Sequence, residues 1–436
     1  MYGETRWMFY FCSVTRPLMK KYFNIIVLLL ICSFTSCEQT SATSETPYVI
    51  LISFDGFRHD YVQKYETPNF DAFIANGVAA EAMIPSYPSK TFPNHYSIVT
   101  GMYPNNHGLV DNSFYDKELD KRYSIGNREM VENPAFYGGL PLWQLVQKNE
   151  MKSASYFWVG SEAPIAGSFP DFYEIYDGKV PNEDRIDTVI DWLNLEKEAR
   201  PNFVSLYFSL VDDAGHASGP NGERTNTAVQ EADRLLGLLM TELKSVDLPV
   251  NVIITSDHGM NEIAPKAENY IDMADLLSGL DQDKVLGVSN GAHVQFYLKE
   301  ASYRSELIDY LESYEKSSLY EVYQKGEMPE NWNYGTHPRV GDVFIKMTPG
   351  NYISSASRIN RAITTKAYRG EHGFNPEDTE DMGAIFYANG PDFKKGAKLP
   401  KFKNIHVYPL VARILGIQEL PVIDGKLEVL EPALRD

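Results

Sequence analysis

The sequence predicts an α/β fold in which a mostly parallel central sheet is flanked by helices. Three observations lead there. Near-continuous apolar runs at 48–54, 203–210, 250–255 and 384–388 are the length of single strands and lack polar alternation, so both faces of each are expected to be covered. Helix-period segments at 183–198 and 225–244 lie among them. In the second, Val229, Leu235, Leu236, Leu239 and Met240 share one stripe. Acidic and histidine residues stand just beyond the strand ends, where doubly wound sheets gather their ligands.

Residues 1–36 read as an export signal. Lys20 and Lys21 precede the apolar run 25–31, and small residues lead up to Cys37. The arrangement resembles a bacterial lipoprotein signal, with cleavage before Cys37 and lipid carried on that cysteine. The apolar run is short for a membrane-spanning helix. On this reading Met19 is a better start than Met1, and the protein is an exported, membrane-anchored lipoprotein facing the periplasm or the cell surface. Residues 37–46 are polar and form a tether. Cys12, Cys32 and Cys37 are the only cysteines, so the mature chain has no internal disulfide to rely on.

From 47 to 432 a single domain is expected, since 436 residues supply ample apolar material for one large core. The first strand, 48–54, ends at Asp55. The run 203–210 leads to Asp212, and the run 250–255 leads to Asp257. The segment at about 265–349 differs in character. Strand-like runs at 292–298 and 342–346 flank a helical stretch at 301–314, which reads as a small inserted α/β lobe.

Charge excludes one class of partner. The formal charge is −19, and the leader holds Arg6, Arg16, Lys20 and Lys21 against Glu4, so its removal leaves about −22. Binding to polymeric nucleic acid draws on a basic surface that releases counterions, and no basic run is present. A small phosphate ester remains compatible, because metal charge dominates its immediate surroundings. No protein partner is implied.

The chemistry lies in dispersed short motifs. Asp212-Asp213-Ala214-Gly215-His216, Ser256-Asp257-His258-Gly259 and Gly370-Glu371-His372-Gly373 each combine acid, histidine and glycine, and Asp55 supplies a further acid. Carboxylates and neutral imidazoles suit zinc. Asp212 and His216 are four apart, so a turn or short helix aims both at one ion. Asp257 and His258 are adjacent, so a sharp bend is expected, with Gly259 making it possible. Thr91, in Lys90-Thr91-Phe92-Pro93-Asn94-His95, offers a hydroxyl. An isolated histidine is ordinarily a core or surface imidazole. The joint pattern provides enough ligands for two metal ions and a nucleophile.

In this order, from about Tyr48 to Ile417, the motifs resemble the nucleotide pyrophosphatase/phosphodiesterases of the alkaline phosphatase superfamily. The resemblance implies an alkaline-phosphatase-like fold and two Zn2+ ions, one held by Asp55, Thr91, Asp257 and His258, the other by Asp212, His216 and His372. It implies that Thr91 is the catalytic nucleophile, forming a phosphothreonine ester that water then hydrolyses, and that Asn112 donates to a non-bridging phosphate oxygen. A helix starting at Thr91 would add free N–H groups for phosphate. Phe92 and Tyr176, the latter in Tyr176-Asp177-Gly178-Lys179-Val180-Pro181, match positions that sandwich a nucleotide base. The implied reaction is hydrolysis of nucleotide phosphodiester and pyrophosphate bonds to nucleoside 5′-monophosphates. The alternative is a lysophospholipid or glycerophosphocholine phosphodiesterase on the same two-zinc site. A phosphomonoesterase, a sulfatase-like hydrolase and a non-catalytic binding lipoprotein are more distant readings. No cysteine lies near position 91 for a sulfatase, and Trp158–Glu162 holds no lysine or arginine to meet the extra charge of a monoester. The sequence departs from the family pattern at Leu210-Val211, where Glu-Pro is usual, and at Asn375-Pro376, where Asp-Asn is usual.

Overall fold

The computed structural model describes residues 47–435, so the leader, Cys37 and the tether lie outside the described residues. An eight-stranded sheet organises the chain. Its strands are β1 (Tyr48–Phe54), β2 (Val78–Ala80), β3 (Ser153–Tyr156), β4 (Phe172–Glu174), β5 (Phe203–Phe208) and β6 (Val250–Thr255), with four lobe strands intervening before β11 (Phe386–Asn389) and β12 (Ala397–Leu399). The spatial order is β12-β2-β11-β6-β1-β5-β3-β4. β1 pairs in parallel with both β5 and β6. Its residues divide between two cores by the two-residue period of a strand. Val49 and Leu51 face one apolar cluster, while Ile50, Ile52 and Phe54 face the other. This double coverage is why the run is continuously apolar.

Two sequence expectations shift. The late strand is antiparallel to β6 and β2, although its apolar run reads like the parallel ones. An apolar run records burial on both faces and does not record direction. The run expected at 203–210 stops at Phe208, because Leu210 already opens a helix.

Helices cover both faces. α1 (Thr91–Thr100) is buried along nearly its whole length and stops at Gly101 in the left-handed conformation. α2 (Asn182–Leu193), α3 (Leu210–Ser218) and α4 (Glu223–Glu242) follow. Val229, Leu235, Leu236 and Leu239 form the buried stripe of α4, with Met240 at its margin. No helix among the described residues is long and apolar enough to cross a membrane.

Between β6 and β11 the chain forms a second sheet from β7 (Val285–Ser289), β8 (His293–Leu298), β9 (Tyr320–Gln324) and β10 (Val343–Met347), all antiparallel, in the order β7-β8-β10-β9. α5 (Arg304–Ser313) packs on it through Leu307 and Leu311, against Val294, Phe296 and Ile345. The same cluster takes in Ile353, and Ala362 from α6 (Ala356–Thr365), so the packing continues past residue 349. The opposite face of this sheet presents Tyr297 and Phe344 to the main core. The lobe is therefore fastened to the body by one face of its own sheet.

Candidate active site

Register brings the acids together. Ser53 lies opposite both Tyr207 and Thr255, so β1, β5 and β6 end side by side. Asp55 is the first residue past β1, Asp257 the second past β6, and Asp212 sits in the first turn of α3. Gly56 has φ +67°, and a Cβ there would lie 2.9 Å from Asp212 Cα. The bend after β1 thus needs glycine both for its dihedral and for the close approach of α3. Gly259 acts differently from the expectation. It is not left-handed, and its Cβ would meet Asp381 O at 2.1 Å, so it is a packing requirement of the Asp257-His258 turn.

The ligand atoms of Asp55, Asp257 and His258 lie within 4.8 Å of one another, and so do those of Asp212, His258 and His372. His216 Nε2 is 3.4 Å from Asp212 Oδ2. His258 stands between the two groups, its Nε2 3.6 Å from Asp55 Oδ1 and 3.0 Å from Asp257 Oδ2. Its ring stacks on His372 at 3.6 Å.

The donor set fits divalent cations. Asp55 Oδ1, Asp212 Oδ1 and Asp257 Oδ2 are buried without a hydrogen bond. Buried carboxylate oxygens left this way are strongly unfavourable unless a cation meets them. All three histidines are oriented by backbone carbonyls at Nδ1: His216 by Gly370 at 2.8 Å, His258 by Gly259 at 2.8 Å and His372 by Ser89 at 3.0 Å. A carbonyl only accepts, so each Nδ1 carries a proton, and Nε2 is the atom each ring can offer to a cation. This is the outer support that metal-binding histidines use. Nε2 of His258 then faces a carboxylate lone pair on Asp257, a contact that only a proton or a cation reconciles.

The electrostatics differ from group to group. Burial, then the charges of Asp257 and Asp212, push the Asp55 carboxyl well above its usual range. Burial alone would raise Asp257 as well, yet the His258 and His95 imidazoles carry it well below. Burial and the nearby His258, Lys90 and His216 hold His372 well below the ordinary histidine value, hence neutral. Burial disfavours charge on His216, but Asp212 and Glu371 raise it to about 9.

Thr91 is the first residue of α1, and its Oγ1 lies 3.3 Å from His258 Nε2. Asn112 Oδ1 accepts from the Phe92 N–H at 2.9 Å, which fixes the amide orientation and turns Nδ2 outward as a donor. That contact corrects the expectation of several free N–H groups at the helix start. Phe92's is taken, Pro93 has none, and Asn94's goes to Lys90 O, leaving that of Thr91.

Phe92 and Tyr176 are held by separate partners. Phe92 is half-buried against Tyr123. Tyr176 is 42% exposed and edges onto Phe157 and Tyr207. Both therefore have ring surface available at the rim. Of the unusual positions, Leu210 opens α3, Val211 is buried in the core, and Asn375 accepts from Glu377 N–H in a local turn.

Several residues at the site were given no role by the sequence reading. Tyr207 donates to Asp55 Oδ2 at 2.6 Å, and burial with the Asp55 charge keeps its phenol well above the usual range, so it remains a donor. His95 bridges Ser53 Oγ and the Asp257 side. Glu371 lies 3.4 Å from His216 Nδ1. Strand alternation next to Asp212 offered a signal for Tyr207, and adjacency to His372 one for Glu371. Cationic side chains are absent at Trp158–Glu162, but Lys90, Arg358, Arg361 and Arg369 line a cavity beside His216 and His372.

Comparisons with known proteins point to one family. The profile of the family described as type I phosphodiesterase / nucleotide pyrophosphatase matches residues 49–375. Ectonucleotide pyrophosphatase/phosphodiesterase family member 3 of Bos taurus is 35% identical over 400 residues, covering 89% of this chain and 44% of that protein. The venom phosphodiesterase of Macrovipera lebetinus is 35% identical over 404 residues, covering 89% and 46% respectively. The chain thus spans about half the length of these curated relatives. Among solved structures, an inactive threonine-to-alanine variant of murine ectonucleotide pyrophosphatase/phosphodiesterase 5, in complex with AMP, superposes with a TM-score of 0.81 at 30% identity, covering 89% of this chain and all of that one. With the profile spanning most of the chain and the fold shared, the protein belongs to the type I phosphodiesterase / nucleotide pyrophosphatase family.

Proposed function

We propose that this protein is a zinc-dependent hydrolase of nucleotide phosphodiester and pyrophosphate bonds, releasing nucleoside 5′-monophosphates through a phosphothreonine intermediate. The observation that carries this reading is Thr91 Oγ1 at the start of a buried helix, 3.3 Å from Nε2 of His258, the imidazole that stands among three carboxylates each with an oxygen that has no hydrogen-bond partner. Relatives named as nucleotide pyrophosphatases and phosphodiesterases support it, as does a structural neighbour inactive with a threonine-to-alanine change and bound to AMP.

Asp55, Asp257, His258 and Thr91 would hold one ion, and Asp212, His216 and His372 the other. When bound, such ions supply Lewis-acid charge that lowers the threonine hydroxyl pKa and offsets charge on the phosphoryl oxygens. Thr91 Oγ1 gives up its proton to solvent and attacks phosphorus in line, the bond to the leaving group breaks, and the leaving oxygen takes the electron pair. Asn112 Nδ2 donates to a non-bridging oxygen as charge builds there. Water then hydrolyses the ester, restoring Thr91. Phe92 and Tyr176 stack on the base from the rim.

The remaining readings rest on sequence. Residues 47–432 form the catalytic domain, with the lobe inserted in it. Residues 1–36 direct export, and Cys37 carries the lipid anchor.

The test is a substrate panel on zinc-loaded protein, comparing a nucleotide aryl ester with glycerophosphocholine. Nucleotide turnover, lost by at least about a thousandfold in Thr91→Ala with zinc content retained, is the expected result. Full activity of Thr91→Ala sinks the nucleophile assignment, and preference for the choline ester sinks the substrate class.

A further inference from the structure

Arg185 lies in α2 and is only 2% exposed. Among the described residues no carboxylate pairs with it. Its guanidinium donates instead to two backbone carbonyls, from Nη1 to Tyr207 O at 3.0 Å and from Nη2 to Val180 O at 3.1 Å. Nε is buried without a partner, and Cζ lies over the rings of Phe157 at 5.0 Å and Phe208 at 5.8 Å. A buried guanidinium without a counter-ion is costly. Carbonyl oxygens and ring faces offset that cost only while they stay in place, and the planar fork of arginine reaches both carbonyls at once.

Those partners are the parts on which Tyr176 rests. Tyr176 belongs to an exposed run, 175–179, between β4 and α2. Its ring stands edge-on to Phe157 at 5.1 Å and against Tyr207 at 6.3 Å. The run closes in a turn, where the Val180 N–H donates to Asp177 O at 3.1 Å and the Lys179 N–H to Asp177 Oδ1 at 2.9 Å. Arg185 holds the end of that turn by the Val180 carbonyl, covers the Phe157 ring that Tyr176 meets, and fixes the backbone of Tyr207. One buried cation thus joins the turn to both ring contacts of an otherwise exposed aromatic.

Placement decides what such a ring contributes. Stacking on an aromatic side chain changes the affinity for a base by roughly five- to a hundredfold. A ring that has to be ordered on binding forfeits part of that gain, whereas one already held in place keeps it. None of the contacts of Arg185 is with Thr91 or the candidate ion cluster, so its reach is to the base side of the site.

Resting on the nucleotide hydrolase reading, we propose that Arg185 is a positioning residue for the base: through Phe157 and the 177–180 turn it fixes the Tyr176 ring, and so sets how strongly the site favours a nucleotide ester over a phosphodiester that has no base. Arg185 touches neither substrate nor ions and takes no part in bond breaking.

The test uses two diesters with one leaving group, the 4-nitrophenyl ester of AMP and methyl 4-nitrophenyl phosphate, on zinc-loaded protein. Arg185→Met keeps much of the length and removes the charge, a change that buried ionic sites tolerate when the replacement packs well. The expected result is a KM for the AMP ester raised at least about fivefold, with kcat/KM for the methyl ester within about twofold of wild type. Arg185→Lys keeps the charge but loses the fork, and should recover only part of the loss. Phe157→Leu removes the intervening ring and should reproduce the KM change. Arg185→Met should add less than about twofold to the loss caused by Tyr176→Ala, since both act on one ring. Equal losses on the two esters would assign Arg185 to the fold, or to Asp55 through Tyr207, and would overturn the proposal. An AMP-ester KM unchanged in both Arg185→Met and Phe157→Leu would overturn it too. If the wild type hydrolysed neither ester, the hydrolase reading would fail instead, and a lysine-specific protease would still decide the role of Arg185. Cleavage after the exposed Lys179 at least about tenfold faster in Arg185→Met would support the fixing of this segment, and an unchanged rate would overturn it.

Discussion

Asp111 Oδ2 lies 2.5 Å from His293 Nε2, joining the loop that carries Asn112 to strand β8 of the lobe. Gln295, two residues along the same strand face, donates to the same oxygen at 2.8 Å, and Asp111 Oδ1 accepts the Asn112 backbone N–H at 2.9 Å. The lobe thereby helps to set where Asn112 stands. Small displacements of a positioned donor are expensive in rate. His293→Ala should lower kcat by about ten- to a hundredfold with a smaller change in KM. It should add little to the loss already caused by Asn112→Ala, and His293→Gln should recover part of the activity. Additive losses in that double-mutant cycle would show that the two residues act independently.

Tyr207 gives the second prediction. Its hydroxyl satisfies Asp55 Oδ2 and leaves Oδ1 for an ion. Tyr207→Phe should weaken zinc binding by about ten- to a hundredfold, the usual effect of losing such outer support. Competition with a chromophoric chelator measures this, and unchanged affinity would remove Tyr207 from the metal support.

Ion removal should also be felt in stability. Without a cation, the unpartnered oxygens of Asp55, Asp212 and Asp257 face one another in a buried space. An ion at about a hundred times its Kd contributes about 2.7 kcal/mol to the folded state. A chelator should therefore lower the melting temperature and added zinc should restore it. Superimposable melting curves would argue against an occupied site.

A pH effect arises away from the site. Asp116 accepts Arg339 Nε at 2.6 Å and the N–H groups of Glu118 and Leu119. Burial alone would raise this carboxyl, but the Leu119 N–H and then Arg339 bring it below its usual value. A depressed folded-state pKa stabilises above the unfolded value and is lost as pH falls through the folded one. Asp116→Asn should cost about 1–3 kcal/mol at pH 7. Denaturant midpoints should show that gap closing below about pH 4. A gap that is the same at both pH values would mean that the charge contributes nothing.

The chain by itself determined a great deal. The run from Tyr48 to Phe54 announced a doubly covered strand, because burial on both faces leaves no polar alternation. Asp55, Asp212 and Asp257 were legible as strand-end acids, and spacing of four placed Asp212 and His216 on one turn of helix. These are local signals, carried within a few residues. Only the tertiary structure decided the rest. The reversed direction of β11, the taking of the Phe92 N–H by Asn112, and the meeting of Lys90 with Arg358 and Arg361 depend on contacts between distant segments. Strand pairing and helix packing choose such neighbours, and no periodicity along the chain records which segment will stand opposite which.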